Sequence, residues 1–218
     1  ALGTEERFGF CDQLVVGAAG ARSVAEHRVA LIGDFAGATD GVDLGRELSA
    51  RGHDVALYSL VPKHSTRRFG LPDSCNRWLG AQLAPFYLAT RLARGPLARR
   101  IANNALLLAV DAIAARVIAP CDVMVAMAGI GLRAVDVVQR RHNAKVFLER
   151  SSRHILSQRE ILEAIPGNKD PVPDVNRELA GYALADVITV PSRHVEESFL
   201  ERGFSASKLF RNPFGVSL

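Results

Sequence analysis

Val29, Ala30, Leu31 and Ile32 form an unbroken apolar run that ends at Gly33. A run this short, bounded by glycine, is the pattern of a strand buried on both faces of a parallel sheet. After the loop Asp34 to Gly41, Leu44 and Leu48 fall four residues apart, on one face of a helix. Asp40 suits the N-cap, Asp43 follows three residues on in a capping-box-like start, and Gly52 stands where a helix ends. The stretch Asp54 to Val61, rich in Val, Leu and Tyr, predicts the next strand. Strand, loop, helix and strand thus fall within about 33 residues, the size of a βαβ unit.

Beyond Val61 the texture changes, and Pro85 and Pro96 are expected to break the helical stretches there. Ala98 to Ala119 reads as a long helix ending before Pro120. The strand–helix alternation then resumes. Strands are predicted at Asp122 to Met127, Lys145 to Leu148 and Asp186 to Val190. Helices are predicted from Leu132 to Arg141, from just after His154 to about Ile165, from Asp174 to Ala185, and from Pro191-Ser192 to Gly203. This alternation predicts an α/β fold, a Rossmann-like open parallel sheet with helices on both faces. Residues 1–27 lack clean periodicity and read as an N-terminal lead-in. Residues 28–211 read as one domain, and the Asn-Pro turn and glycine within 212–218 as the start of a linker.

Composition narrows the function class. Hydrophobic residues are 48% and charged residues 23% of 218, the balance of a globular chain rather than a disordered one. A net charge of +4 permits a phosphate-bearing substrate or an anionic surface and compels neither. Cys11, Cys75 and Cys121 are far apart and lack ligand spacing, which favours reduced thiols in a cytoplasmic protein and no metal site. The apolar stretch Leu14 to Ala21 follows Glu5, Glu6 and Asp12, not a basic stretch, so a signal peptide is not expected. No apolar run approaches membrane-spanning length.

Ligands of open α/β sheets bind beyond the carboxyl ends of the strands. That rule selects the loops 33–41, 128–131, 149–154 and 191–193. In the first, Gly37, Asp40 and Gly41 could bring backbone amides to a phosphate or sugar, although neither GxGxxG nor a P-loop lysine is present. Gly129 is the matching glycine of the second loop. The third gathers Glu149, Arg150, Ser151, Ser152, Arg153 and His154, side chains that bind polyols, orient phosphate and shuttle protons. Ser192 is either a helix N-cap or a ligand contact, and no GxSxG elbow marks a hydrolytic serine. The segment 61–100 carries eight basic residues and one acid, Asp73, with Trp78, Phe86 and Tyr87 interleaved. It offers a patch for a peripheral membrane contact or an anionic acceptor, or else a solvated basic helix pair over the core. Nucleic-acid-binding motifs are absent.

A family resemblance joins these pieces. The segment from Ala185 to Ser192, followed by Glu197-Ser198-Phe199 and Gly203, resembles family 4 retaining glycosyltransferases of the GT-B fold. So do Arg28 to Asp34, the run from Leu48 to Val55 containing Arg51-Gly52-His53-Asp54, and the turn Asn212 to Ser217 with Gly215. The resemblance implies the N-terminal, acceptor-side domain of an enzyme that moves a sugar from a nucleotide-sugar donor to an acceptor. It implies retention of configuration and no cofactor or required metal. His154 is expected as the catalytic-site residue. Gly37, Asp40, Gly41, Gly129, Glu149, Arg150, Ser151, Ser192 and Gly215 are expected to bind substrate. The sequence has Asp40-Gly41 where many such enzymes have Gly-Gly, and no Glu-x7-Glu pair in strand–helix context. The C-terminal donor-binding domain is therefore expected outside this sequence, and this chain alone to be inactive. The competing reading is a non-enzymatic α/β module that binds a phosphorylated ligand or a partner protein.

Overall fold

Residues 27–33, 40–168 and 174–213 are described in a computed structural model. Seven strands form one sheet in the order β3-β2-β1-β4-β5-β6-β7, and every neighbouring pair is parallel. They are β1 (Arg28–Ile32), β2 (Asp54–Ser59), β3 (Asn76–Trp78), β4 (Val123–Met127), β5 (Lys145–Glu149), β6 (Val187–Val190) and β7 (Leu209–Arg211). The five strands read from apolar runs are all present, within two residues at each end.

Alternation along each strand divides the core into two layers. Val29 and Leu31 of β1, Val55 and Leu57 of β2, and Val123 and Val125 of β4 point to one face. Helix α1 (Asp40–Ala50) covers it with Val42 and Leu48. Ala30, Ile32, Met124, Ala126, Val146 and Leu148 point to the other. There they meet α4 (Pro96–Val117), α5 (Leu132–His142), α6 (Ile155–Ala164), α7 (Val175–Leu184) and α8 (Arg193–Leu200). The α/β, Rossmann-like assignment with helices on both faces thus holds. Burying each large side chain such as Leu48 or Leu57 contributes about 1.5–3 kcal/mol.

Aspartates tie the amino-terminal edge of the sheet. Asp122, ahead of β4, accepts from the Arg28 amide at 2.9 Å, and Asp186, ahead of β6, accepts from the Val146 amide at 2.7 Å. The opposite, carboxyl edge is left to the loops.

The segment after β2 departs from expectation. Short helix α2 (Lys63–Arg68) and edge strand β3 precede α3 (Gly80–Leu92), and Pro85 lies inside α3 rather than breaking it. The carbonyl that Pro85 leaves without its helical donor is that of Ala81, and both residues are exposed, so the lost bond does not leave a buried polar group unpaired. Pro96 does end the stretch: Gly95 adopts φ +83° and Pro96 begins α4.

Candidate functional site

The chain winds from β1 outward to β3, then returns across β1 to β4. β1 and β4 are therefore neighbours at the point where strand order reverses, the place where open α/β sheets hold their ligands, in a crevice beyond the carboxyl ends of the strands. Gly33 follows β1, and a Cβ added there would stand 3.5 Å from Met127, the last residue of β4. The β4–α5 turn follows, with Gly129 at φ +80° and Gly131 at φ +76°. Only a residue without Cβ fits either place easily. A Cβ on Gly131 would stand 3.3 Å from Ile32 Cγ2, and one on Gly129 would stand 3.1 Å from Glu178 Oε1.

A buried ionic network fixes this turn. Asp111 of α4, 1% exposed, accepts from the Gly131 amide at 2.8 Å and pairs with Arg177 of α7 at 2.5 Å. The Arg177 Nε donates to the Gly129 carbonyl. The next residue, Glu178, pairs with Arg150 at 3.0 Å, and both side chains are buried. Burial raises the Glu178 carboxyl above its usual range, partly offset by the Arg150 charge. The Arg150 guanidinium also donates to the Arg153 carbonyl and to Gln158 Oε1. Removing one member of such a network leaves an unpaired buried charge, a loss of about 3–5 kcal/mol.

The sequence-predicted residues divide into three groups. Gly41, near the start of α1, and Glu149, the last residue of β5, lie half-buried at the carboxyl rim, while Ser151 and Ser192 are exposed there. Ser192 Oγ accepts from the Val195 amide at 3.3 Å and so caps α8, the simpler of its two expected roles. Gly129 and Arg150 come together through Glu178, but inside the wall of the crevice rather than on its surface. The backbone of Asp40 begins α1, one position later than an N-cap requires, and its side chain lies outside the described part. Gly37 and Gly215 also lie outside the described residues.

His154 is placed differently from the expected opening. It is 1% exposed, and its Nδ1 accepts from the Leu156 amide at 3.2 Å, capping α6. Its ring sits 5.1 Å from that of Tyr182, 5.0 Å from Phe199 and 5.5 Å from Phe204. Its Nε2 is buried and meets no polar partner among the described residues. Burial, reinforced by the charges of Arg202 and Arg150, pushes the imidazole down to about 4. The residue is thus a neutral cap and core side chain here, not one that lines an opening.

Sequence reading missed Asp111, Arg177, Glu178 and Gln158. One signal was available: Asp111 is the lone charge in the apolar run Ala105 to Ala115 of a long helix. Arg177 and Glu178, early in a helix, look like ordinary surface charges. Among the described residues, no group of three or more His, Cys, Asp or Glu is placed to hold a metal ion. None of the described helices is long and apolar enough to cross a membrane.

No protein-family model matches the chain, and neither does any curated protein. Solved structures do match the fold. A protein from Listeria monocytogenes provisionally assigned as a UDP-N-acetylglucosamine 2-epimerase aligns over 85% of this chain and 44% of its own, with a TM-score of 0.54 and 13% identity. A UDP-glucosyltransferase from Polygonum tinctorium capable of glucosylating indoxyl aligns over 90% of this chain and 53% of its own, with a TM-score of 0.52 and 15% identity. A further UDP-N-acetylglucosamine 2-epimerase covers 86% of this chain and 48% of its own, with a TM-score of 0.50 and 14% identity. These neighbours have the GT-B fold, and this chain spans about half their length. At such identities the likeness is one of fold, and it agrees with the Rossmann-like sheet described above.

Proposed function

We propose that this chain is the acceptor-side domain of a GT-B glycosyltransferase, of the family 4-like retaining kind, which moves a sugar from a nucleotide-sugar donor to an acceptor. The observation that carries the reading is the reversal of strand order between β1 and β4, beside a turn braced by Asp111, Arg177, Glu178 and Arg150. That bracing fits a rigid half-site. The amide at the start of α5, a natural partner for a phosphate, is already taken by the Asp111 carboxylate. The diphosphate of a donor would then be held mainly by a second domain, and this half would contribute one wall and the acceptor pocket.

The chemistry of the reading follows from that division. Most stabilisation of a glycosyl-transfer transition state comes from groups on the leaving diphosphate and the reacting sugar. A half that holds neither firmly does not accelerate transfer, so the isolated chain is inactive. Gly41, Glu149, Ser151 and Ser192 are the described rim residues that would face sugar hydroxyls. Arg150 acts behind them by holding the 149–154 loop, and His154 by capping α6. Calorimetric titration with UDP-, GDP- and ADP-sugars tests the assignment. Weak binding and no transfer are expected, and low-micromolar affinity in the isolated chain would overturn the placement of the donor site.

A further inference from the structure

The hairpin of α3 and α4 presents an apolar surface that nothing in the described chain covers. Leu92 is 68% exposed, Leu97 71% and Ile101 61%. Leu97 and Ile101 are four residues apart and share one stripe of α4, and Leu92 closes the last turn of α3 beside the connection. Exposed aliphatic residues grouped in this way mark a contact surface.

The charges around the stripe have one sign. From Gly80 to Val110 the sequence contains no Asp or Glu. Arg94 stands in the connection, and Arg99 and Arg100 lie near the start of α4, all exposed and outside every ion pair among the described residues. A helix start disfavours cations, and no acid in that turn offsets them. An arrangement unfavourable within the protein becomes favourable against an external anionic surface.

We propose that the α3–α4 hairpin docks on an anionic lipid surface, with Leu92, Leu97 and Ile101 entering the headgroup boundary and the arginines contacting lipid phosphates. A second copy of this chain fits less well, because a two-fold contact would set the arginine tip against itself. A free phosphate has no use for the aliphatic stripe. The proposal does not depend on nucleotide-sugar binding and can fail or succeed separately from that reading.

Co-sedimentation with vesicles tests it. The protein is expected to bind vesicles of phosphatidylcholine with about one-third phosphatidylglycerol, and not pure phosphatidylcholine, with binding that falls as salt rises. R94Q/R99Q/R100Q should weaken binding roughly a hundredfold, at about fivefold per charge. L92S/L97S/I101S should also release the protein from vesicles while leaving the thermal midpoint unchanged, since these side chains are exposed. Failure to sediment with anionic vesicles would overturn the proposal. So would equal binding to both compositions, or light scattering that shows a dimer abolished by L92S/L97S/I101S.

Discussion

Replacing His154 with alanine removes two things that the structure assigns to it. The first is the cap on α6, made by Nδ1 to the Leu156 amide, whose loss is worth about 1 kcal/mol. The second is a ring enclosed by Tyr182, Phe199 and Phe204; truncating a core aromatic costs about 3 kcal/mol or more. The sum near neutral pH is about 4 kcal/mol. For a chain of this size that lowers the thermal midpoint by roughly 12 °C. A pH signature separates this role from simple loss of packing. The imidazole titrates at 6.5 when unfolded and about 4 when folded, so between those values the unfolded state binds more protons. Wild-type stability from this group is complete above pH 6.5 and is lost as pH falls towards 4, by about 2 kcal/mol at pH 5. The alanine variant lacks that contribution, so its deficit should shrink from about 4 to about 2 kcal/mol between pH 7.5 and pH 5. His154→Asn, which keeps a capping oxygen, should recover about 1 kcal/mol. Circular dichroism melts and urea titrations at both pH values measure this directly. An alanine variant as stable as wild type, or a deficit that grows on acidification, would refute the reasoning.

Two further substitutions probe the wall of the crevice. Asp111→Ala strands Arg177 and leaves the Gly131 amide without its acceptor; urea unfolding should show a loss of about 3 kcal/mol with an unchanged denaturant slope. Gly52→Ala, at φ +86° with open space around it, should show in calorimetry only the backbone loss of about 1–2 kcal/mol, whereas Gly129→Ala, at φ +80° and with its Cβ 3.1 Å from Glu178 Oε1, should lose more than that.

What the sequence revealed depended on how far each signal extends along the chain. Val29–Ile32, Val146–Leu148 and Val187–Val190 are buried on both faces of the sheet, so their apolar runs stand out without knowledge of neighbours. Strands β3 and β7 have three residues each at the two edges, too short for any period to register. Asn76 is a polar residue inside β3 and 1% exposed; its amide bonds to the Val61 carbonyl and Thr66 Oγ1, partners set by tertiary contact alone. The candidate site shows the same division. Its position at the carboxyl rim follows from strand–loop order, and Ser192 as a cap follows from local chemistry. Whether Arg150 and His154 faced outward or inward depended on Glu178, Gln158, Tyr182 and Phe199, which arrive from three other helices. Apart from Gln158, these partners lie far outside any window of sequence around residues 149–154.

On the proposed reading, the carboxyl rim beside β1 and β4 is one wall of a nucleotide-sugar cleft. At 23.5 kDa the chain is suited to amide-resolved NMR, and titration of the labelled protein with a UDP-sugar reads each rim position separately. Fast-exchange shifts at Gly41, Glu149, Ser151 and Ser192, saturating only at high ligand concentration, are the expected result. Shifts confined to the α3–α4 hairpin or the amino-terminal edge, or none at the highest ligand concentration reached, would contradict the account.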